Sequence, residues 1–325
     1  MSRTELRRAA LAFAAAGLSW LAFPAAAGAQ ASPWNDSLLE RVRSLARSVP
    51  GERPRSLHVL EIAESSGPLS NFVAGADSQR VPVAYPVFQI RYRDRWIVVD
   101  AGFDQAAVTE HFGASSRLRF FPDRYDRMQA ALRGAEHVVL THEHLDHSIG
   151  VQRGPYFAEV AARTLLTAEQ VRALLDPPTR AFVRLSPDSA AAFPALRYDL
   201  LFPLAPGVVL IRAAGHTPGA QYVFVQLADG REVLIAADLA WQMEGLTTSR
   251  QRSEATSTRL GEDRAAVQAQ LEWARRILEA GRVAIVLSHD GRLLDSLVAR
   301  GVLRDGFDLP RRRFVIRRRH RRRCG

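Results

Sequence analysis

The sequence predicts a mixed α and β fold, with helices covering a sheet scaffold, on three observations. First, an apolar strand-like run ends in an Asp or His five times, at Asp100, His142, His216, Asp238 and His289. Second, two pairs of such runs are joined by hairpin-length turns, Arg93-Asp94-Arg95 and Ala228-Asp229-Gly230-Arg231. Third, residues 263–281 carry Val267, Leu271, Ala274, Ile277 and Leu278 at helical spacing and stop at Gly281 before the buried run Val283-Ala284-Ile285-Val286-Leu287. With 325 residues, 47% of them hydrophobic and 24% charged, the chain can bury a large core as one domain or two.

Residues 1–29 have the form of an export signal. Arg3, Arg7 and Arg8 give a basic start, an apolar run follows to Phe23, and Ala27-Gly28-Ala29 is a small-x-small cleavage site. The run is short for a membrane span. The pair Arg7-Arg8 loosely suits a twin-arginine signal, so the mature chain is expected in the periplasm or outside the cell. Residues 30–56 are polar and mixed, with Pro33, Pro50 and Pro54 around a helix at 37–49, and form an expected N-terminal surface arm. From Leu57 the pattern changes to strands, at 58–62, 83–92 and 96–99. The last ends in Asp100-Ala101-Gly102, where Asp100 is either a turn residue or a partner that orients a ligating histidine.

Helical patterns fill 105–134, interrupted by the aromatic stretch Phe120-Phe121-Pro122, which is expected to pack on the core. The apolar run Val138-Val139-Leu140 then leads into Thr141-His142-Glu143-His144-Leu145-Asp146-His147. Three imidazoles and two carboxylates crowded at a strand end need something to bind, and a metal is the simplest candidate. His142 and His144 are two apart, so on extended backbone they point the same way. Asp146 and His147 fall in the next turn and can face a second ion. Imidazole with carboxylate suits zinc, iron, cobalt or manganese.

After short strand and helix pieces at 156–175 the chain is expected to be irregular to Leu204. Val208 to Ile211 then form a strand leading to Gly215-His216-Thr217-Pro218-Gly219, a tight loop that allows close approach to a bound ion. Residues 222–227 pair with 232–236, and the second of these strands ends in Asp238. The final strand ends in Ser288-His289-Asp290. Ligand residues on loops at one edge of a rigid sheet are the expected arrangement of a catalytic site. His58, His111 and His137 receive no role, and the loops 117–126, 186–197 and 244–261 are expected to wall the pocket.

Taken in order, His142-x-His144-x-Asp146-His147, His216, Asp238 and His289 resemble the motifs of the metallo-β-lactamase superfamily, over about residues 57–295. The resemblance implies a four-layer αββα sandwich for a hydrolase domain spanning 57–309. It also implies two divalent metal ions, with zinc first and iron, cobalt or manganese as alternatives. His142, His144 and His216 would hold one ion, Asp146, His147 and His289 the other, and Asp238 would bridge them.

Within the superfamily, Val98-Val99-Asp100-Ala101-Gly102, the run His216 to Gln221 and Ser288-His289-Asp290 look most like N-acyl homoserine lactone lactonases. Those enzymes commonly carry a tyrosine three residues after the bridging aspartate, where this chain has Trp241; their usual glycine pair after the first motif is Ser148-Ile149 here. The implied chemistry is attack by a metal-bound hydroxide on a small-molecule lactone or other carboxylic ester. Asp238 and Asp146 are then the catalytic carboxylates, Asp146 steering the leaving group's proton. The same site would also suit a phosphoesterase, either an organophosphate hydrolase or a nuclease, and a metal-loaded binding protein without turnover is a third reading.

The one cysteine, Cys324, excludes an intramolecular disulfide and a cysteine metal ligand in the interior. Residues 311–323 hold nine arginines; of 44 basic residues 35 remain without them, against 34 acidic, so the body is nearly neutral and almost all of the net charge of +10 sits in the tail at 310–325. Such a block is expected to be disordered, and by charge alone it would contact nucleic acid or an anionic surface. Replacing Arg7 and Arg8 together by Lys is expected to abolish export by a twin-arginine route. Undiminished appearance of the mature chain outside the cytoplasm, read by fractionation, would exclude that route.

Overall fold

Strand periodicity decides how the layers form, because successive side chains of a strand face opposite sides of its sheet. In the computed structural model, which describes residues 32–113 and 117–310, thirteen strands build two sheets. The expected export segment and the arginine tail after Pro310 lie outside the described residues. The strands are β1 (Ser56–Pro68), β2 (Arg80–Arg91), β3 (Trp96–Val99), β4 (Arg119–Phe120), β5 (His137–Val139), β6 (Thr164–Thr167), β7 (Ala195–Leu196), β8 (Leu201–Ala205), β9 (Val208–Arg212), β10 (Gln221–Gln226), β11 (Glu232–Ala237), β12 (Val283–Leu287) and β13 (Arg304–Asp305). One sheet runs β13-β1-β2-β3-β5-β6-β7, with β4 also on β1; the other runs β12-β11-β10-β9-β8.

Ile97, Val99 and Val139 face Val208, Leu210, Val223, Val225, Val233 and Ile235 in a core between the sheets. Their neighbours Val98 and Val138 face outward onto Met128, Ala131 and Leu132 of the helix Pro122–Gly134 and Ile149 of the helix Leu145–Gln152. On the other outer face Val209, Ile211, Tyr222 and Phe224 meet Val267, Leu271 and Ala274 of the helix Arg264–Glu279. The result is the four-layer αββα arrangement expected from the sequence. Among the described residues no helix is long and apolar enough to cross a membrane.

The helix expected at 37–49 is Asp36–Ser48, capped by Asn35, but the segment is no surface arm. Leu38 and Val42 are fully buried in the same outer layer as Phe224 and Trp273. Arg43 ties the helix to β11 through Glu232 at 2.6 Å. Its three buried positions repeat every four residues, which places them on one face. The stretch expected to be irregular also holds structure: a helix at Pro187–Ala191 and the strands β7 and β8.

Strand direction puts the candidate ligands at one edge. β3, β5 and β6 run parallel, as do β11 and β12, so the residues leaving β3, β5, β11 and β12 emerge at the C-terminal ends of their strands. Two short pairings close the gap between the sheets there: Val83 bridges Asp290, and the Ala84 amide donates to the His289 carbonyl at 3.3 Å. The loop after β3 is pressed against the helix carrying Asp146 and His147. The Ala101 amide donates to His147 O at 2.8 Å and the Gly150 amide to Gly102 O at 3.0 Å. A Cβ on Gly150 would lie 1.9 Å from Ala101 O.

Gly150→Ala therefore must push that helix off the β3 loop. The expected cost is about 1–3 kcal/mol, the range for overpacking a tight interior, together with loss of metal content, since His147 sits on the displaced helix. Denaturant midpoint and metal analysis check both; an unchanged midpoint would show that the close approach is dispensable.

Candidate metal centre

The site is built where each strand stops. Asp100 leaves β3 with φ 66° and Ala237 leaves β11 with φ 44°, left-handed conformations uncommon for residues with a Cβ. Both turn the chain sharply, so the carboxylates of Asp100 and Asp238 lie beside the histidines rather than continuing along the strand. His142 follows β5 by three residues, His216 lies in the loop between β9 and β10, and His289 follows β12 by two. The helix beginning at Leu145 presents Asp146 and His147 in its first turn.

All seven expected metal residues come together. In three groups the candidate ligand atoms lie within 4.8 Å of one another: His142, His144 and His216; His142, His147 and Asp238; Asp146, His147 and His289. Asp238 is central. Its Oδ2 lies 3.1 Å from His289 Nε2, 3.4 Å from His216 Nε2 and 3.8 Å from His142 Nε2, and its Oδ1 lies 3.4 Å from His147 Nε2. Asp146 Oδ2 is 3.4 Å from His289 Nε2 and 3.9 Å from His147 Nε2.

These residues fit divalent cations on a test of their own. His142 Nε2, His144 Nε2, His147 Nε2 and Asp238 Oδ1 are buried and have no hydrogen-bond partner, a costly state for polar atoms in a protein interior. Divalent cations held among them would accept these lone pairs. The donor set is imidazole and carboxylate alone, which suits zinc and its first-row neighbours.

The electrostatics agree. Burial pushes His142 and His144 well below the usual imidazole range, helped by His147 and His216, so both are neutral and able to ligate at neutral pH. Burial also opposes charge on His147, but Asp100, Asp238 and Asp146 outweigh it and raise its pKa; Asp238 does the same for His289. Burial would likewise raise Asp238, yet His289, His147 and His142 hold it well below the carboxylate range. The pocket therefore holds ionised carboxylate among closely packed imidazole nitrogens.

Outer partners orient the ligands. His147 Nδ1 donates to Asp100 Oδ2 at 2.9 Å, and Asp100 in turn accepts from the Thr141 amide at 2.7 Å, so Asp100 is the hydrogen-bond partner of the candidate ligand His147. His289 Nδ1 donates to Ala84 O at 2.7 Å, and His216 Nδ1 to Glu262 Oε1 at 2.6 Å. Fixing Nδ1 leaves each Nε2 directed at the shared centre. Glu143, the motif residue given no ligand role, is fully buried and accepts from Thr217 Oγ1 at 2.8 Å and the Gly219 amide at 3.0 Å. It thereby ties the first motif to the His216 loop. Ser148 lies one turn inside its helix and donates back to His144 O at 2.8 Å.

The sequence reading missed a clamp made by Arg252, Glu262 and Trp241. Arg252 is 2% exposed, forms a very short ion pair with Glu262, and donates to Asp238 O at 2.5 Å and Leu239 O at 3.3 Å. Its guanidinium lies 5.1 Å from the centre of the Trp241 ring, whose Nε1 donates to Asp238 Oδ2 at 2.7 Å. One buried cation thus steadies His216 through Glu262 and Asp238 through both its carbonyl and Trp241. No sequence periodicity marks such a contact; the only local signal was an arginine and a glutamate in a segment without strand or helix pattern.

A cleft of about 370 Å³ opens over the centre, reaching His144, Asp146, Asp238 and His289. Of the loops expected to wall it, only 244–261 does so, through Arg259 and Leu260; Phe120 and Phe193 pack into the outer core instead. His111, expected to have no role, lines the cleft with Phe112. Tyr85 stands against His289 at 5.2 Å between ring centres, and burial, with the charges of Asp146 and Asp238, raises its phenol so that it stays protonated.

The fold and the motif order have counterparts among known proteins. Residues 82–289 match the family model of the metallo-beta-lactamase superfamily. A quorum-quenching N-acyl homoserine lactone hydrolase aligns with a TM-score of 0.59 at 14% identity, over 76% of this chain and 97% of its own. A dizinc quorum-quenching lactonase aligns at 0.53 with 15% identity, over 74% and 90%, and a metal-dependent hydrolase described as probable, from Staphylococcus aureus, at 0.55 with 12% identity, over 74% and 91%. No curated protein matches in sequence. With the matched model spanning every ligand from His142 to His289, the chain belongs to the metallo-beta-lactamase superfamily and is a metal-dependent hydrolase.

Proposed function

We propose that the protein is a dinuclear hydrolase of carboxylic esters, with lactones as the first class to test. The observation that carries this reading is Asp238, whose two carboxylate oxygens lie between imidazoles from three loops and the start of a helix. In this reading His142, His144 and His216 would hold one cation and Asp146, His147 and His289 a second, with Asp238 placed to serve both. Zinc is the metal proposed, from the ligand set and from the dizinc lactonase of similar fold. Lactones come from the structural relatives described as lactone hydrolases.

Two divalent ions held there supply Lewis acidity, acidifying water and polarising a carbonyl. The chain supplies the rest. Asp146 has a side chain 17% exposed and opens on the cleft, so it is placed to carry a proton to the departing oxygen. Asp100, Glu262 and Ala84 O hold three imidazoles in one tautomer. Trp241 fixes Asp238 Oδ2 and so keeps the carboxylate plane from rotating. Tyr85 faces the cleft as a neutral phenol and can donate to a substrate oxygen.

The purified chain with its metals counted is expected to turn over lactones or aryl esters, with activity lost to chelator and restored by zinc. His144→Ala and Asp238→Ala should each lower metal content and cut kcat/KM by more than about 100-fold, the upper figure for loss of an outer partner alone. Full activity in either variant, or turnover confined to phosphotriesters and phosphodiesters in the same panel, would overturn the ester assignment.

Glu262→Gln separates the clamp from the ligands. It preserves shape and one hydrogen bond while removing the charge that faces Arg252 and His216. Zinc affinity by competition with a chelating dye is expected to fall about 10–100-fold; an unchanged affinity would show that the Arg252–Glu262 pair serves stability alone.

A further inference from the structure

The cleft has a second chemical character above its metal-binding floor. Part of its lining is apolar, from Val83, Phe112, Leu145, Ala181 and Leu260, and it also carries Arg180 and Arg259, both exposed. The two come from neighbouring segments: a Cβ on Gly261, two residues after Arg259, would lie 3.2 Å from Thr179, next to Arg180. Among the described residues neither guanidinium has a carboxylate within 4.0 Å. Three acids of these segments pair with other arginines: Glu262 with Arg252, Asp176 with Arg184 at 3.4 Å, and Glu110, beside the lining residue His111, with Arg153 at 2.7 Å.

From this arrangement we infer that the enzyme selects esters or lactones that carry an anionic group, a carboxylate or a phosphate, separated from the scissile carbonyl by a short apolar spacer. The inference rests on the hydrolase reading above and deepens it. The scissile carbonyl lies over Asp146 and Asp238, the spacer along the apolar wall, and the anion between Arg180 and Arg259. Guanidinium forks match the planar oxygens of carboxylate and phosphate and stay charged at every working pH. The cleft volume is that of a small-molecule site. Positive charge at the mouth also draws an anionic substrate toward the cleft.

Exposed pairs act through solvent, so the expected effect is moderate. The test compares phenyl hexanoate with two partners of similar length, the monophenyl ester of adipic acid and a phenyl hexanoate ending in phosphate, on the metal-loaded chain. The anionic esters should exceed the neutral one in kcat/KM about five- to tenfold at low salt, with the ratio falling toward one at 1 M salt, where the screening length is about 3 Å. Arg180→Gln with Arg259→Gln should reduce that ratio to near one. The two anionic arms distinguish carboxylate from phosphate as the preferred group.

A ratio at or below one in the unaltered enzyme, or one that the double variant leaves intact, would overturn the inference while leaving ester hydrolysis standing. If no ester is turned over at all, the hydrolase reading fails by itself. Binding of the corresponding anilides, neutral against carboxylate, then decides the rim by calorimetry on the unaltered chain and on the double variant: a carboxylate preference lost in the variant supports it, and equal binding rejects it.

Discussion

One carboxylate, Asp238, sets the terms for the rest of the molecule. It is 3% exposed and lies within 3.8 Å of four imidazole nitrogens, delivered by the ends of β5, β9 and β12 and the start of a helix. Taking that charge out of water is expensive unless it is compensated on every side. Compensation by imidazoles alone leaves buried nitrogens without partners, and divalent cations resolve both problems together. The same arrangement that would be a liability in an ordinary core is thus the source of the chemistry.

Holding it requires two sheets. The imidazoles that surround Asp238 arrive from both, and the strands that carry them are fixed by an apolar core in which side chains alternate between the inter-sheet layer and the helical layers. Rigidity is transmitted to the ligands by short polar links: Asp100 to His147, Glu143 to the His216 loop, and Ala84 to His289. The Arg252–Glu262 pair differs from these. It is a fully buried ion pair that touches two ligands from two strands, so its worth lies in geometry more than in stability, since buried pairs often only break even against apolar replacements.

Function then follows from a contrast within one cleft. Its floor gathers carboxylates and basic nitrogens, and its lining also carries Arg180 and Arg259, which among the described residues have no carboxylate within 4.0 Å. Metals fill the first; the second is left facing solvent.

The sequence by itself determined the candidate ligands and most of the strands that carry them. His142, His216, Asp238 and His289 follow strands, His144, Asp146 and His147 lie at the helix start just after one, and all are legible because ligand-type residues beside apolar runs have no packing explanation. β3 and β12 were read to the residue, and the helix Arg264–Glu279 nearly so, since period and stop signals are local. Tertiary structure alone decided which residues surround the ligands. Glu262 lies 46 residues from His216, Arg252 lies 14 from Asp238, and β13 pairs with β1 from the far end of the fold. It also decided that the helix Asp36–Ser48 belongs to the core and that His111 faces the cleft. A two-residue strand or a lone charged side chain has no periodicity to betray it. Its role exists only once distant segments have been brought within a hydrogen bond's length, which is a property of the fold and not of any stretch of the chain.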